Sequence, residues 1–508
     1  MLQTLHARVD GLARWEGGAV KMLGGVEVAL GVTLLVPALI AAAYGEDPWA
    51  FVLPSPALLA AGSLQYLLFK SGGALRPASG MAMMSAAWLI AFLVSAVPFC
   101  LHGFPFIDSL FEGVSGLTTT GASVMGGAGL PHGLLFWRSF TQWAGGLAVV
   151  LIFLFLIPMM GIGGKAFLNN EFAGAETYNF SMRIKSAARN FVSIYALLSA
   201  AEAALLFATG VGGFESVTTA FSTISTGGFV HGAGGAGGLP MAAQAVVLAF
   251  MFLGGTNFYL HYRALKKREL SAYRKSQEFV WTVMWFLLAA AAMLALALAA
   301  TGDALAVDLG AAAWDSLFTA VSMGTTTGYE VADPSFWPLS ACVVMWAVML
   351  FGSMSGSTSG GIKIYRLLIL RSYVANGVHR MLHPRSVRDV RLDGHSVGGD
   401  SVVSATVVVA MFALAVASST VFLLVSEPWM GIQESMGLSI SAISNTGAGI
   451  GGIPLGELNG ASKLFLSFMM WVGRLEVVMA LLLFSRTLWR DLLSDMRGGL
   501  RGVRGRRG

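Results

Sequence analysis

Four copies of one short pattern, recurring at intervals of roughly one hundred residues, constrain this chain more than any other feature. The fullest copy is FEGVSGLTTTGASV, from Phe111 to Val124. Beneath its Thr119-Thr120-Gly121-Ala122 core stand Ser225-Thr226-Gly227-Gly228, Thr326-Thr327-Gly328-Tyr329 and Asn445-Thr446-Gly447-Ala448. Each core follows a short amphipathic run: DSLFEGVSGLT from Asp108, ESVTTAFSTI from Glu215, DSLFTAVSMGT from Asp315 and ESMGLSISAIS from Glu434. An acid opening each run suits the positive N-terminal end of a short helix. The Gly that follows lets the backbone turn its carbonyls inward without Cβ crowding. Four such copies can surround one axis and replace a cation's water shell with oxygens. A single copy would read as a turn in an outer loop; four in register do not.

A pore of this kind needs a bilayer, and composition supplies the case for one. Of the 508 residues, 56% are hydrophobic and only 12% charged, against about 25% charged in a soluble domain. Apolar stretches long enough to span lie near 22–43, 51–69, 81–101, 133–160, 190–210, 240–262, 279–301, 338–364, 400–425 and 462–486. The first ends in an A-x-A-like site at Ala41 and Ala43. Its apolar run is too long for a signal peptide, so it reads as a retained helix. Lys and Arg cluster in alternate connections, for example at Arg263, Lys266, Lys267 and Arg268 and from Arg366 to Arg391. The other connections, 44–50, 102–132, 211–239, 302–337 and 426–461, contain neither. The positive-inside rule therefore places both termini in the cytoplasm and all four repeats outside. Acids in those outer segments, including Asp108, Glu112, Glu215, Asp315, Glu330 and Glu434, would draw cations to the mouth.

The predicted fold is an all-α polytopic membrane protein: four pseudo-repeats of span, pore half-helix, filter loop and span around one central pore, plus an extra N-terminal helix pair. The expected divisions are 1–80 for that pair, 81–165, 190–265, 279–375 and 398–490 for the repeats, and 491–508 for a basic cytoplasmic tail. A re-entrant loop at membrane depth must be buried in protein or line a watery cavity, and four loops lining one pore meet that condition.

The chain resembles the membrane subunit of the Trk/Ktr/HKT superfamily of potassium transport proteins, most of all its TrkH-type branch. The resemblance rests on TTTGAS at 118–123, FSTISTGGF at 221–229, TTTGY at 325–329, SNTGAG at 444–449, LGGTNF at 253–258, GSMSGSTSGGIK at 352–363 and GRLE at 473–476. It spans nearly the whole chain, and the extra N-terminal pair favours TrkH over the eight-span Ktr type. One departure is Ala448, where the family commonly has Pro. The resemblance implies a potassium-binding filter of Thr119, Thr120, Gly121, Ser225, Thr226, Gly227, Thr326, Thr327, Gly328, Asn445, Thr446 and Gly447. Gly at all four key positions, here Gly121, Gly227, Gly328 and Gly447, goes with potassium; Ser at the first goes with sodium. Potassium is then the substrate, and no cofactor is expected in this chain.

Two further features bear on gating. Arg474 lies in the last predicted span, where a charge costs at least about 2.5–3.5 kcal/mol, so it should face a cavity or pair with Glu476. Gly352, Ser355, Gly356, Ser357, Thr358, Ser359, Gly360 and Gly361 interrupt the eighth span with residues that hold a helix poorly. They read either as a close helix-packing face or as a broken helix near the ion path. The resemblance implies an intramembrane gate there, with Arg474 beneath the filter raising the barrier to passage. It further implies a homodimer in a bacterial inner membrane, regulated by a cytoplasmic TrkA-type ring that binds nucleotides and NAD-like ligands.

Glu27 and Glu202 fall near span ends, where snorkelling to the interface is expected. The tail from Arg497 to Arg507 suits anionic lipid better than nucleic acid. His379 and His383 stand i,i+4 without an HExxH pattern, and two GxGxxG strings, at Gly232 and Gly447, lie in outer loops rather than between strand and helix. A membrane enzyme would need acids and histidines converging within the spans, and only Arg474 and Glu476 lie that deep. The remaining alternative is sodium or mixed potassium/sodium transport on the same fold, with proton coupling open.

Overall fold

The structure, a computed structural model, describes residues 17–69, 77–126, 129–156, 180–230, 235–301, 308–332, 337–384, 389–393, 395–448 and 453–475. Glu476, the basic tail, and parts of the predicted spans 133–160 and 462–486 lie outside the described residues, as do Gly232 and Gly452 of the two Gly-rich strings. The chain divides into two compact units, one of Met1–Val114, Gly129–Trp137 and Leu475–Gly508, the other of Ser115–Ala128 and Arg138–Arg474.

In chain order the helices begin with α1 (Gly17–Thr33), α2 (Leu35–Ala43), α3 (Trp49–Val52), α4 (Pro54–Leu68), α5 (Pro77–Leu101), α6 (Phe106–Leu117) and α7 (His132–Leu156). Next come α8 (Phe180–Ala208), α9 (Gly213–Ile224), α10 (Met241–Gly254), α11 (Phe258–Lys266), α12 (Ser271–Lys275), α13 (Gln277–Thr301) and α14 (Leu309–Gly324). The series closes with α15 (Leu339–Leu350), α16 (Ile364–Leu382), α17 (Gly399–Ser426), α18 (Ile432–Ser444) and α19 (Gly460–Arg474). A small hairpin, β1 (Arg391–Leu392) and β2 (His395–Ser396), precedes α17 and has no strong signal in the sequence.

In the first unit, α1 and α2 together make one apolar span, Val20–Ala43, with α3 and α4 as its return. Pro37 explains the seam at Leu34, because it has no N–H to give the carbonyl four residues back. The two spans approach closely where Gly24 and Gly62 face each other: a Cβ on Gly24 would come within 2.6 Å of Gly62 O. Here Glu27 does not snorkel. It is buried and accepts both carboxylate bonds from Gln65 Nε2, at 3.0 and 2.9 Å, because a partner within the pair replaces the interface water. Glu46, in the turn between the spans, accepts from the backbone N–H groups of His132 and Gly133 and caps the start of α7.

In the second unit the apolar core joins α10, α13, α14 and α15 around Met251, Phe286, Phe318 and Met349. A second cluster links α8 to α10 and α11 through Tyr195, Phe250 and Phe258. Glu202 on α8 is fully buried rather than reaching for the surface. Among the described residues six helices are long and apolar enough to cross a membrane. Two predicted spans are broken instead. The 240–262 stretch bends by 101° between α10 and α11, where Asn257 caps the new helix by accepting from Tyr259 N. The 338–364 stretch stops at Leu350, the last residue of α15, and resumes at Ile364.

Candidate functional site

All four predicted half-helices are present, as α6, α9, α14 and α18. Asp108, Glu215 and Glu434 sit in first turns, as their position at the head of each run predicts. Asp315 does not: α14 starts six residues earlier, where Asp308 caps it by accepting from Gly310 N and Ala311 N.

Each half-helix ends in the same hydrogen-bonded closure. Thr119 N donates to Gly116 O, Thr226 N to Thr223 O, Thr326 N to Met323 O and Asn445 N to Ala442 O, at 2.8–3.2 Å. One residue on, Thr120 N donates to Ser115 O, Gly227 N to Ser222 O, Thr327 N to Ser322 O and Thr446 N to Ser441 O, at 2.8–2.9 Å. This paired closure normally uses Gly in the left-handed position. Here Thr119, Thr226, Thr326 and Asn445 occupy it, with φ of 53°, 53°, 55° and 58°. A β-branched residue in that region is a true outlier, and its cost persists only where the surroundings fix it.

Two residues past each strained position comes a second positive φ, at Gly121 (84°), Gly228 (74°), Gly328 (77°) and Gly447 (72°). A Cβ added to Gly121 would collide with Gly227 O, one on Gly228 with Thr327 O, one on Gly328 with Thr446 O, and one on Gly447 with Thr120 O. Each loop thus seats its glycine against the next loop's carbonyl, and the fourth closes back on the first.

This geometry corrects the register of the second loop. Gly228, not Gly227, is equivalent to Gly121, and Gly227 matches Thr120, Thr327 and Thr446. Matching T-G pairs misplaced it by one residue because loop two carries two consecutive glycines. The spacing from the half-helix serine would have resolved it: Gly121, Gly228, Gly328 and Gly447 each stand six residues after Ser115, Ser222, Ser322 and Ser441.

The segment between α15 and α16 lies against the ends of these loops that leave the half-helices. Thr358 Oγ1 is 3.1 Å from Ile224 O, 3.0 Å from Gly254 O and 3.1 Å from Thr226 Oγ1. Gly360 N donates to Thr326 Oγ1 at 2.8 Å, and a Cβ on Gly360 would strike Ser444 O. A Cβ on Gly352 would likewise meet Gly324 O. Gly356 and Gly361 take φ of 67° and 68°, which a helix cannot use. Ser353 Oγ donates to Gly360 O and Ser357 Oγ to Met354 O, so hydroxyls serve carbonyls that the break in the helix leaves open. Ser359 O accepts from Lys363 Nζ.

Two further charged side chains, from α13 and α19, hold this segment, and only one is evident from sequence. Arg474 is buried and its Nη1 donates to Thr358 O at 2.7 Å; its Nε and Nη2 have no partner among the described residues. Glu278, on the first turn of α13, accepts from Ser355 N and Ser355 Oγ, both at 2.7 Å, and from Tyr365 N at 3.3 Å. An acid one residue into a helix looks like a dipole-stabilising charge, so the sequence hides its role. At the turn after α11, a two-pronged bond from Arg263 holds the Glu269 carboxyl below the usual carboxylate range.

The TrkH family, described as a cation transport protein, matches residues 51–495. The chain belongs to the TrkH family. It is therefore a polytopic membrane transporter rather than an enzyme. The Trk system potassium uptake protein TrkH of Escherichia coli K12 is 29% identical over 93% of this chain and 99% of its own length. The Trk system potassium uptake protein TrkG of that strain is 30% identical over 85% of this chain and 89% of its own length. The crystal structure of the potassium transporter TrkH from Vibrio parahaemolyticus superposes with a TM-score of 0.84 at 27% identity, over 93% of this chain and 99% of that one.

Proposed function

We propose that this TrkH-family chain takes up potassium across a bacterial inner membrane through the ring of four loops. The observation that carries the reading is the cyclic seating of Gly121, Gly228, Gly328 and Gly447 on the carbonyls of Gly227, Thr327, Thr446 and Thr120. Four backbone carbonyls in one closed cycle of loops supply oxygens whose number and field strength can select a bare monovalent cation. The names of the relatives, potassium uptake proteins and a potassium transporter, support potassium as that cation.

The segment from Gly352 to Gly361 is the gate, held shut by Arg474 on Thr358 and by Glu278 on Ser355. It continues through Ile364 into α16 and the basic connection beyond, where a TrkA-type nucleotide-binding ring would pull on it in a homodimer. The distribution of Lys and Arg supports cytoplasmic termini. The units of this reading are the N-terminal pair (1–80), four pore repeats (81–165, 190–265, 279–375, 398–490) and the basic tail (491–508).

The test is cation flux into liposomes containing the purified chain, with potassium and sodium compared, with and without a proton gradient. Potassium flux well above sodium is expected. Equal flux of the two, or flux of sodium alone, overturns the assignment of the ion.

A further inference from the structure

We infer that Gln142 is a specificity-determining positioning residue of the filter, standing in for the side chain that loop two lacks. The inference rests on reading the four loops as the filter.

Three loops brace themselves with a pair of hydroxyls two residues apart. Thr118 Oγ1 pairs with Thr120 Oγ1, Thr325 Oγ1 with Thr327 Oγ1 and Ser444 Oγ with Thr446 Oγ1, each at 2.8 Å. Loop two cannot do this, because the residue equivalent to Thr120 is Gly227. Its Ser225 hydroxyl is left with only the bonds to Phe221 O at 2.7 Å and Ser222 O at 3.1 Å, of the kind that Thr325 and Ser444 make in addition to their hydroxyl pairs.

Gln142, fully buried on α7, fills the gap. A Cβ on Gly227 would lie 2.5 Å from Gln142 Cδ, 2.7 Å from Nε2 and 2.8 Å from Oε1. Nε2 donates to Gly227 O at 2.6 Å and Oε1 accepts from Phe229 N at 3.2 Å. The amide orientation follows from its partners, since a carbonyl only accepts and a backbone N–H only donates. One side chain thus clamps the residues either side of Gly228, the ring glycine of this loop.

The consequence is chemical as well as mechanical. Gly227 O is one of the four ring carbonyls, the one seated against Gly121. It alone among the four carries a side-chain amide donor in the hydrogen bonds of the described residues. A donor on one lone pair fixes where that carbonyl points and shares the electron density it offers to an ion. Selectivity depends on the number and field strength of such dipoles, so Gln142 sets the contribution of one of the four. The ring is asymmetric by construction.

The experiment measures potassium-over-sodium permeability of the full chain in liposomes for four variants. Gln142→Leu keeps the bulk and removes the donor; the ratio is expected to fall at least about fivefold while total cation flux persists. Gly227→Thr alone collides with Gln142 and also loses selectivity. Gln142→Ala with Gly227→Thr rebuilds the hydroxyl pair of the other loops, since Gly227 does not have a positive φ, and should recover most of the ratio. A folded Gln142→Leu chain with the ratio of the parent overturns the inference. So does a folded double variant no more selective than Gly227→Thr alone, which decides the matter if Gln142→Leu does not fold. Gly228→Ala separates the two readings. If it collapses the ratio while Gln142→Leu does not, only the role of Gln142 fails; if it leaves the ratio intact, the filter reading fails as well.

Discussion

Gly228→Ala is the smallest change that tests whether the ring is built as described. Its φ of 74° is left-handed, so any side chain costs about 1–3 kcal/mol there. The larger effect is local. The new methyl would stand more than about 1 Å inside the closest approach that Cβ atoms make, and its neighbour is Thr327 O, a backbone atom with no rotamer to escape into. Either loop two withdraws or Thr327 O leaves the ring. Losing one oxygen partner of a charged species is worth about 1.5–3 kcal/mol, roughly a tenfold to hundredfold fall in potassium-over-sodium permeability. Gly45→Ala is the control, since Gly45 has φ of 72° but nothing within 4 Å of an added Cβ. It carries the strain without the collision and should leave the ratio unchanged. Ion-replacement flux in liposomes, on protein matched for yield and monodispersity, reads both variants. A folded Gly228→Ala chain with unaltered selectivity would refute the interlocked ring.

Three further outcomes follow from the same geometry. Arg474→Ala removes the charged donor from Thr358 O and should raise basal cation flux about tenfold or more at equal surface expression; unchanged flux would leave Arg474 a structural residue. Glu278→Gln retains one acceptor where three bonds converge, so flux should become less dependent on any cytoplasmic partner; a variant as tightly regulated as its parent would show that this acid does not hold the gate. Burial pushes the Glu46 carboxyl up, but hydrogen bonds from the Gly133 and His132 amides and the His132 ring outweigh it and hold the group below the ordinary value. A lowered value means that this stabilisation is complete above the unfolded carboxylate pKa, about 4.3, and fades as pH falls through the folded one. Glu46→Gln should therefore lower the melting temperature at pH 7 by a margin that shrinks toward pH 3, and a constant margin would contradict this.

Much of the architecture could be read from residue order because bilayer burial leaves few options. The half-helices declared themselves through repetition, and the Ser/Gly cluster at 352–361 through its hostility to a helix. What escaped were features decided by contacts between distant segments. Tandem glycines made Gly227 and Gly228 interchangeable on paper, and only the carbonyl of a different repeat distinguishes them. Gln142 lies in an unremarkable stretch of α7, 85 residues from the carbonyl it braces. Glu278 hides the same way, 77 residues before Ser355. Asp315 misled for a local reason: the fold placed the helix start at Asp308, whose side chain can reach two free N–H groups.

The closure of the ring also bears on how the chain is made. Asn445 Nδ2 reaches Thr120 Oγ1 at 3.0 Å across 325 residues, beside the joint where Gly447 meets Thr120 O. During synthesis the first loop emerges with no neighbour on that side. The surroundings that hold Thr119 in its left-handed conformation are then incomplete until the last quarter of the protein has entered the bilayer. The first three loops alone are an open arc, and an arc cannot coordinate an ion from all sides. A truncated or stalled product therefore lacks the closed ring, and with it the cyclic seating of glycine on carbonyl that the finished chain has.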